Sequence, residues 1–209
     1  MSVRVKICGI TNQADALAAV AAGVDALGFI FVPGTPRFGS VEQAAAIIRE
    51  LPPFVAKVAL FVDADTRTVA ETIARTGVDT IQLHGDETPE FARQFVGAVK
   101  VIKAFRVRGA ETLVQLPAFA DAADALLLDA YVPGVKGGTG ARFDWEHAAS
   151  AKTGGKPVIL AGGLTPENVA EAVRGVRPFA VDVSSGVEAA PGRKDLAKVI
   201  EFIRAAKTA

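Results

Sequence analysis

Short apolar runs recur along the chain at 3–8, 26–31, 56–62, 80–84, 99–105, 125–129, 157–161 and 179–184. None exceeds seven residues, and all are rich in Val, Ile, Leu and Phe, which predicts strands rather than helices. They show little polar alternation, so both faces of each strand are expected to be buried, as in a parallel sheet. Between them lie alanine-rich segments with helical spacing, notably 12–22, 41–51, 66–76 and 166–174. Thr165 before Pro166 predicts an N-cap with proline at the first helical position. Gly23, Gly77 and Gly175 are expected to close helices in the left-handed conformation.

Eight strand–helix units in 209 residues give about 26 residues per unit, near the minimum for a βα repeat. The predicted architecture is a single-domain (β/α)8 barrel of the α/β class, occupying residues 1–209. A doubly wound open sheet is the structural rival, but its glycine-rich signature should follow the first strand. Here Cys8-Gly9-Ile10-Thr11 follows it, and the glycine clusters come late. No linker or low-complexity tract marks a second domain. The long connection at 130–142, with Pro133-Gly134 and Gly137-Gly138-Thr139-Gly140, reads as a binding loop or lid.

Composition narrows the function classes. The 23 basic and 23 acidic residues cancel, which argues against a dedicated nucleic-acid binder. No apolar run approaches the roughly 18–20 residues of a membrane span, and the N-terminus shows no signal-peptide core. Cys8 is the only cysteine, so no intramolecular disulfide exists, and with His84 and His147 it cannot fill an ordinary zinc site without carboxylates. A soluble, cytoplasmic protein is expected, with no metal. Monomer and homodimer both remain open.

In a closed barrel, reactive groups sit at the C-terminal strand ends. Lys6 and Cys8 share one face of the first strand, Gln82 and His84 one face of the fourth, and Asp182 and Ser184 one face of the eighth. Cys8 reads either as a small apolar filler or as a base. Lys6 beside it would favour the thiolate, unless Lys6 is held in an ion pair, for which Asp182 on the adjacent eighth strand is the expected partner. Asp129 reads either as a turn residue or as a general acid, its carboxyl desolvated by the wall of Leu126, Leu127 and Leu128. Gln82 and His84 read as structural hydrogen-bonders, and His147 as a helix-surface residue. Gly162-Gly163 after strand seven and Ser184-Ser185-Gly186 after strand eight fit the two loops that bind phosphate in many barrels. Arg37, stiffened by Pro33 and Pro36, suits bidentate recognition of a carboxylate.

Together these residues resemble the phosphoribosylanthranilate isomerase family of the tryptophan pathway. The matching stretches are Lys6-Ile7-Cys8-Gly9-Ile10-Thr11, Thr35-Pro36-Arg37, Gln82-Leu83-His84-Gly85-Asp86-Glu87 and Leu127-Leu128-Asp129-Ala130. They continue through Gly137-Gly138-Thr139-Gly140, Leu160-Ala161-Gly162-Gly163-Leu164, Asp182-Val183-Ser184-Ser185-Gly186-Val187-Glu188, Pro191-Gly192 and Lys194-Asp195. Thr35 departs from the serine usual in the family. The resemblance implies a cofactor-free Amadori rearrangement of a small phosphosugar, N-(5-phosphoribosyl)anthranilate. It makes Asp129 the general acid at the ribose ring oxygen and Cys8 the base at C2′. It places Arg37 on the anthranilate carboxylate, and Gly162, Gly163, Asp182, Ser184, Ser185 and Gly186 around the phosphate end of the site. A different phosphosugar barrel and a catalytically inert phosphate sensor are the competing readings.

Overall fold

The computed structural model describes residues 2–107, 109–130 and 155–209. Eight parallel strands close into a barrel in chain order, with β1 pairing β8: β1 (Arg4–Cys8), β2 (Ala26–Ile30), β3 (Ala56–Phe61), β4 (Thr80–Leu83), β5 (Lys100–Val107), β6 (Ala125–Ala130), β7 (Val158–Ala161) and β8 (Ala180–Val183). Every predicted strand is present, with its ends within two residues of expectation. The rest of the 130–142 connection, including Gly137–Gly140, and His147 lie outside the described residues.

Strand parity divides the core in two. Val58, Ile102, Ala104, Ala125, Leu127, Ile159, Ala161 and Ala180 point inward and fill the barrel with small and branched side chains. Ile7, Leu27, Phe61, Leu83, Leu128 and Val181 face outward, onto the helices. Those helices are α1 (Gln13–Ala21), α2 (Val41–Arg49), α3 (Thr66–Thr76), the short α4 (Pro89–Arg93) and α5 (Ala110–Leu113), then α6 (Val169–Val176) and α7 (Leu196–Lys207). Asn12, Ser40, Asp65, Thr88 and Asp195 each cap a helix by accepting from the amide three residues on. None of the described helices is long and apolar enough to cross a membrane.

The start of α6 departs from expectation. The Thr165 amide donates to Asn168 Oδ1 at 2.8 Å and the Asn168 side-chain amide donates to the Gly163 carbonyl, so 165–168 form a turn and the helix begins at Val169. Its end is later too. Gly175 lies inside the helix because Val176 still packs inward, and Arg177 takes the left-handed cap at φ 48°. Gly77 closes α3 as expected, at φ 73°.

At the N-terminal end of the barrel one device recurs. The aspartate preceding each of β2, β4 and β6 accepts the amide of the neighbouring odd strand: Val5 to Asp25 at 2.8 Å, Lys57 to Asp79 at 3.1 Å and Val101 to Asp124 at 2.8 Å. These carboxylates anchor the end of the barrel opposite the predicted chemistry.

Candidate active site

At the C-terminal strand ends, inward parity delivers Cys8 from β1, Asp129 from β6, Asp182 from β8 and His84 just past β4. All four line one cavity of about 290 Å³. Arg37, Gly162, Gly163, Ser184, Ser185 and Gly186 complete the same wall, so every residue expected at the site meets there. Larger cavities exist: an apolar one of about 470 Å³ at the N-terminal end and a polar one of about 530 Å³ beyond His84. Size does not identify the site; convergence of titratable groups and glycine loops does.

Lys6 and Asp182 are paired in register across the β1–β8 seam. Lys6 Nζ lies 3.0 Å from both Asp182 oxygens, with both side chains buried. Asp182, expected to meet the ligand, therefore commits both oxygens to Lys6. Lys6 also acts electrostatically on Cys8. Burial disfavours the ammonium, but Asp182 and Cys8 outweigh it and raise the Lys6 pKa. Lys6 favours the Cys8 thiolate, as expected, but it is not the dominant influence. Burial pushes the thiol above its ordinary value, Asp182 adds to that, and Lys6 offsets only part of it. Burial is the largest influence on the thiol, and the charge of Lys6 is shared with a carboxylate. Gly28 on β2 makes this cluster possible: a Cβ there would stand 2.8 Å from Cys8 Sγ and 3.1 Å from Lys6 Nζ.

Across the cavity, His84 Nε2 lies 3.3 Å from Asp129 Oδ2, and His84 Nδ1 lies 3.0 Å from Gln82 Nε2. With the amide donating, Nδ1 is the acceptor and Nε2–H donates to Asp129. Asp129 was expected to stand in a dry leucine wall, but its side chain is 29% exposed and meets a polar neighbour. The loop carrying His84 is pinned from behind. Glu87 accepts from the Gly85 and Asp63 amides and pairs with buried Lys103 at 2.7 Å, while Lys103 also donates to the Gly85 carbonyl.

The glycine loops form one unit. Gly162 and Gly163 both take positive φ, at 89° and 63°, and a Cβ on Gly186 would collide with the Leu164 carbonyl. The amides of Gly163 and Ser184 donate to no acceptor among the described residues, and Ser184 Oγ and Gln82 Oε1 are buried without partners there. Such donors on a glycine turn suit an oxyanion. Arg37 is gripped by Glu188, with Nε to Oε1 at 2.8 Å and Nη2 to Oε2 at 2.6 Å. The sequence reading gave no role to Glu188, Lys194, Gly28 or Lys103. The motif Asp182–Glu188 and the stretch at Lys194 were the available signals, but their partners lie elsewhere in the chain.

The cavity thus combines a thiol, a carboxylate, an arginine and an oxyanion-type loop, the set needed to move protons within an anionic substrate. Comparison with known proteins agrees. A family model described as N-(5'phosphoribosyl)anthranilate (PRA) isomerase matches residues 5–205. The N-(5'-phosphoribosyl)anthranilate isomerase of Geobacter sp. (strain M21) is 57% identical over 206 residues, covering 98% of each chain. The crystal structure of phosphoribosyl anthranilate isomerase from Thermotoga maritima superposes with a TM-score of 0.92 at 42% identity, covering 99% of this chain and 100% of that one. A phosphoribosyl anthranilate isomerase in complex with reduced 1-(o-carboxyphenylamino)-1-deoxyribulose 5-phosphate gives a TM-score of 0.89 at 40% identity, with coverage of 99% and 100%. With its barrel, its strand-end residues and its full-length relatives all in agreement, this chain belongs to the N-(5'-phosphoribosyl)anthranilate isomerase family.

Proposed function

We propose that this protein catalyses the Amadori rearrangement of N-(5-phosphoribosyl)anthranilate to 1-(2-carboxyphenylamino)-1-deoxyribulose 5-phosphate, with Cys8 and Asp129 as its proton-transfer pair. The observation that carries this reading is the placement of Cys8 and Asp129 on one small cavity beside the joined glycine loops. The ligand of the solved relative, a reduced form of that product, supports the same substrate class here.

Asp129 donates a proton to the ribose ring oxygen. The C1′–O bond breaks, and the nitrogen lone pair closes an iminium. The Cys8 thiolate then takes the C2′ proton, and the C–H electron pair neutralises the iminium to give an enolamine. Proton loss from the C2′ hydroxyl and gain at C1′ give the aminoketose. The substrate gains two protons, at the ring oxygen and C1′, and loses two, from C2′ and its hydroxyl; the final pair is a tautomerisation, and solvent resets the two side chains. The chemistry is proton transfer alone and calls for no cofactor. The iminium favours the thiolate at the moment it is needed, since a nearby opposite charge stabilises the ionised form. Lys6 supports the thiolate by its charge, and Asp182 acts through Lys6.

The loops at Gly162–Gly163 and Ser184–Gly186 hold the phosphate, and Arg37 holds the anthranilate carboxylate. We assign the whole chain to one barrel domain working in the cytoplasm in tryptophan biosynthesis. The direct test is to generate phosphoribosylanthranilate in situ and follow loss of its fluorescence with purified protein. Substrate consumption no faster than the spontaneous background would exclude the assignment.

A further inference from the structure

We propose that Glu188 is a positioning residue that presents Arg37 to the substrate carboxylate and, through Lys194, ties that arginine to the phosphate loop. This rests on the proposed role of Arg37. Glu188 opens a short strand, β9 (Glu188–Ala190), which returns through Pro191 and Gly192 to pair with β10 (Arg193–Lys194). The hairpin follows directly from the phosphate loop, so its geometry is set by the same backbone.

The Glu188 side chain is 5% exposed, and its carboxylate has no water-facing role. Two parallel bonds fix the Nε–Nη2 edge of Arg37, the fork geometry that restricts a guanidinium most strongly. Nη1 has no partner among the described residues, while Arg37 itself lines the cavity. On the other side of Glu188, Lys194 Nζ donates to Oε1 at 3.0 Å and to the Ser184 carbonyl at 3.2 Å. The Gly192 amide adds a bond to Oε1 at 3.4 Å. One carboxylate therefore holds two cations, leaving a net positive charge beside a cavity that must accept two anionic groups. An arginine fixed beforehand also loses less rotamer freedom when the ligand arrives.

Gly9 shows how closely the arrangement is built: a Cβ there would lie 2.8 Å from Arg37 Cδ and 3.1 Å from Ser184 Oγ. The stem of Arg37 thus lies against the first-strand turn, and its head is turned by Glu188. Glu188 thus partners buried Lys194 and, in the same geometry, fixes one edge of a guanidinium that lines the cavity.

The test compares two reduced product analogues, 1-(2-carboxyphenylamino)-1-deoxyribitol 5-phosphate and its phenylamino counterpart lacking the carboxylate. Calorimetry gives the ratio of their dissociation constants. Glu188→Asp keeps the charge but loses the reach. It should shrink the preference for the carboxylated analogue at least fivefold, on top of any smaller loss the two analogues share through Lys194 and the phosphate loop. Glu188→Gln, which keeps the shape, should lower the same preference and serves if Glu188→Asp does not fold. Equal losses for both analogues, an unchanged ratio, or a ratio that rises in Glu188→Gln would each overturn the proposal. A wild-type ratio near one, or a ratio unmoved by Arg37→Ala, would instead remove the carboxylate role from Arg37. That outcome is seen without any Glu188 variant.

Discussion

Lys6 and Asp182 meet across the strand seam that closes the barrel, Nζ 3.0 Å from each carboxylate oxygen, and it is this neutralised pair that Cys8 faces. Burial therefore decides the resting state of the thiol and holds its pKa above the ordinary value of about 8.5. Only the thiolate can accept the C2′ proton, and Asp129 must be protonated in the same turnover, so the two pH dependences oppose each other in the rate and the thiol is read by titrating the resting protein. Because Cys8 is the only cysteine, absorbance titration of the thiolate reports this group alone. Asp182→Asn removes a negative charge that opposes ionisation, so the thiolate titration should move to lower pH. A thiol already fully ionised in the wild-type protein at pH 7 would contradict this account.

Cys8→Ala and Asp129→Asn remove the base and the acid, respectively. General acid–base steps contribute about 10²–10⁴-fold, so each variant should lose at least about two orders of magnitude in kcat. Inhibition by inorganic phosphate should remain close to wild type, because the glycine loops are untouched. Turnover near normal in either variant would strip that residue of its role.

Gly28 offers a sharper probe of the same corner. A methyl group at this position must displace Cys8 Sγ or Lys6 Nζ, since both lie within 3.1 Å of where the Cβ would stand. Gly28→Ala is expected to cost about 1–3 kcal/mol of stability through overpacking. It should also cut kcat more than tenfold, although residue 28 touches no substrate. A folded, fully active variant would mean that the thiol has more freedom than the structure shows.

Much of the barrel was legible because each buried strand is a short apolar run, and parity alone then sends Cys8, Gln82, His84, Asp129, Asp182 and Ser184 to one mouth. The start of α6 was less legible, because Asn168 folds back onto the Thr165 amide, a side-chain choice that competes with an N-cap there. Lys6 and Asp182 could be anticipated as partners from barrel closure. The consequence for Cys8 could not, since it depends on how fully the cluster is buried. Glu188 and Lys103 were missed for another reason. Their partners, Arg37 and Glu87, are set by loop geometry at separations of 151 and 16 residues, which periodicity does not encode.

His84 joins Gln82 to Asp129 through its two ring nitrogens, which fixes the ring and the direction of its donated bond. His84→Gln should therefore lower kcat about tenfold, equivalent to about 1.4 kcal/mol in the barrier, and change KM little. Gln82→Leu removes the bond to Nδ1 and should produce part of the same loss. A large rise in KM with unchanged kcat would place His84 in substrate binding instead of orientation of the acid.

The aspartates at the N-terminal end of the barrel provide the converse case. Asp79 accepts the Lys57 amide and pairs with the Lys57 side chain at 3.1 Å, at the far end of the strands from Cys8 and Asp129. Asp79→Ala leaves that amide without its partner. Because the site is half solvent-exposed, water replaces part of the lost bond, and the expected cost is about 1 kcal/mol in chemical denaturation. The glycine loops, the thiol and the acid are held by other contacts, so kcat and KM should stay within twofold of wild type at temperatures where the variant is folded. Loss of activity without loss of stability would show that strain at one end of the barrel reaches the other, and would undo the separation between an anchoring end and a reacting end.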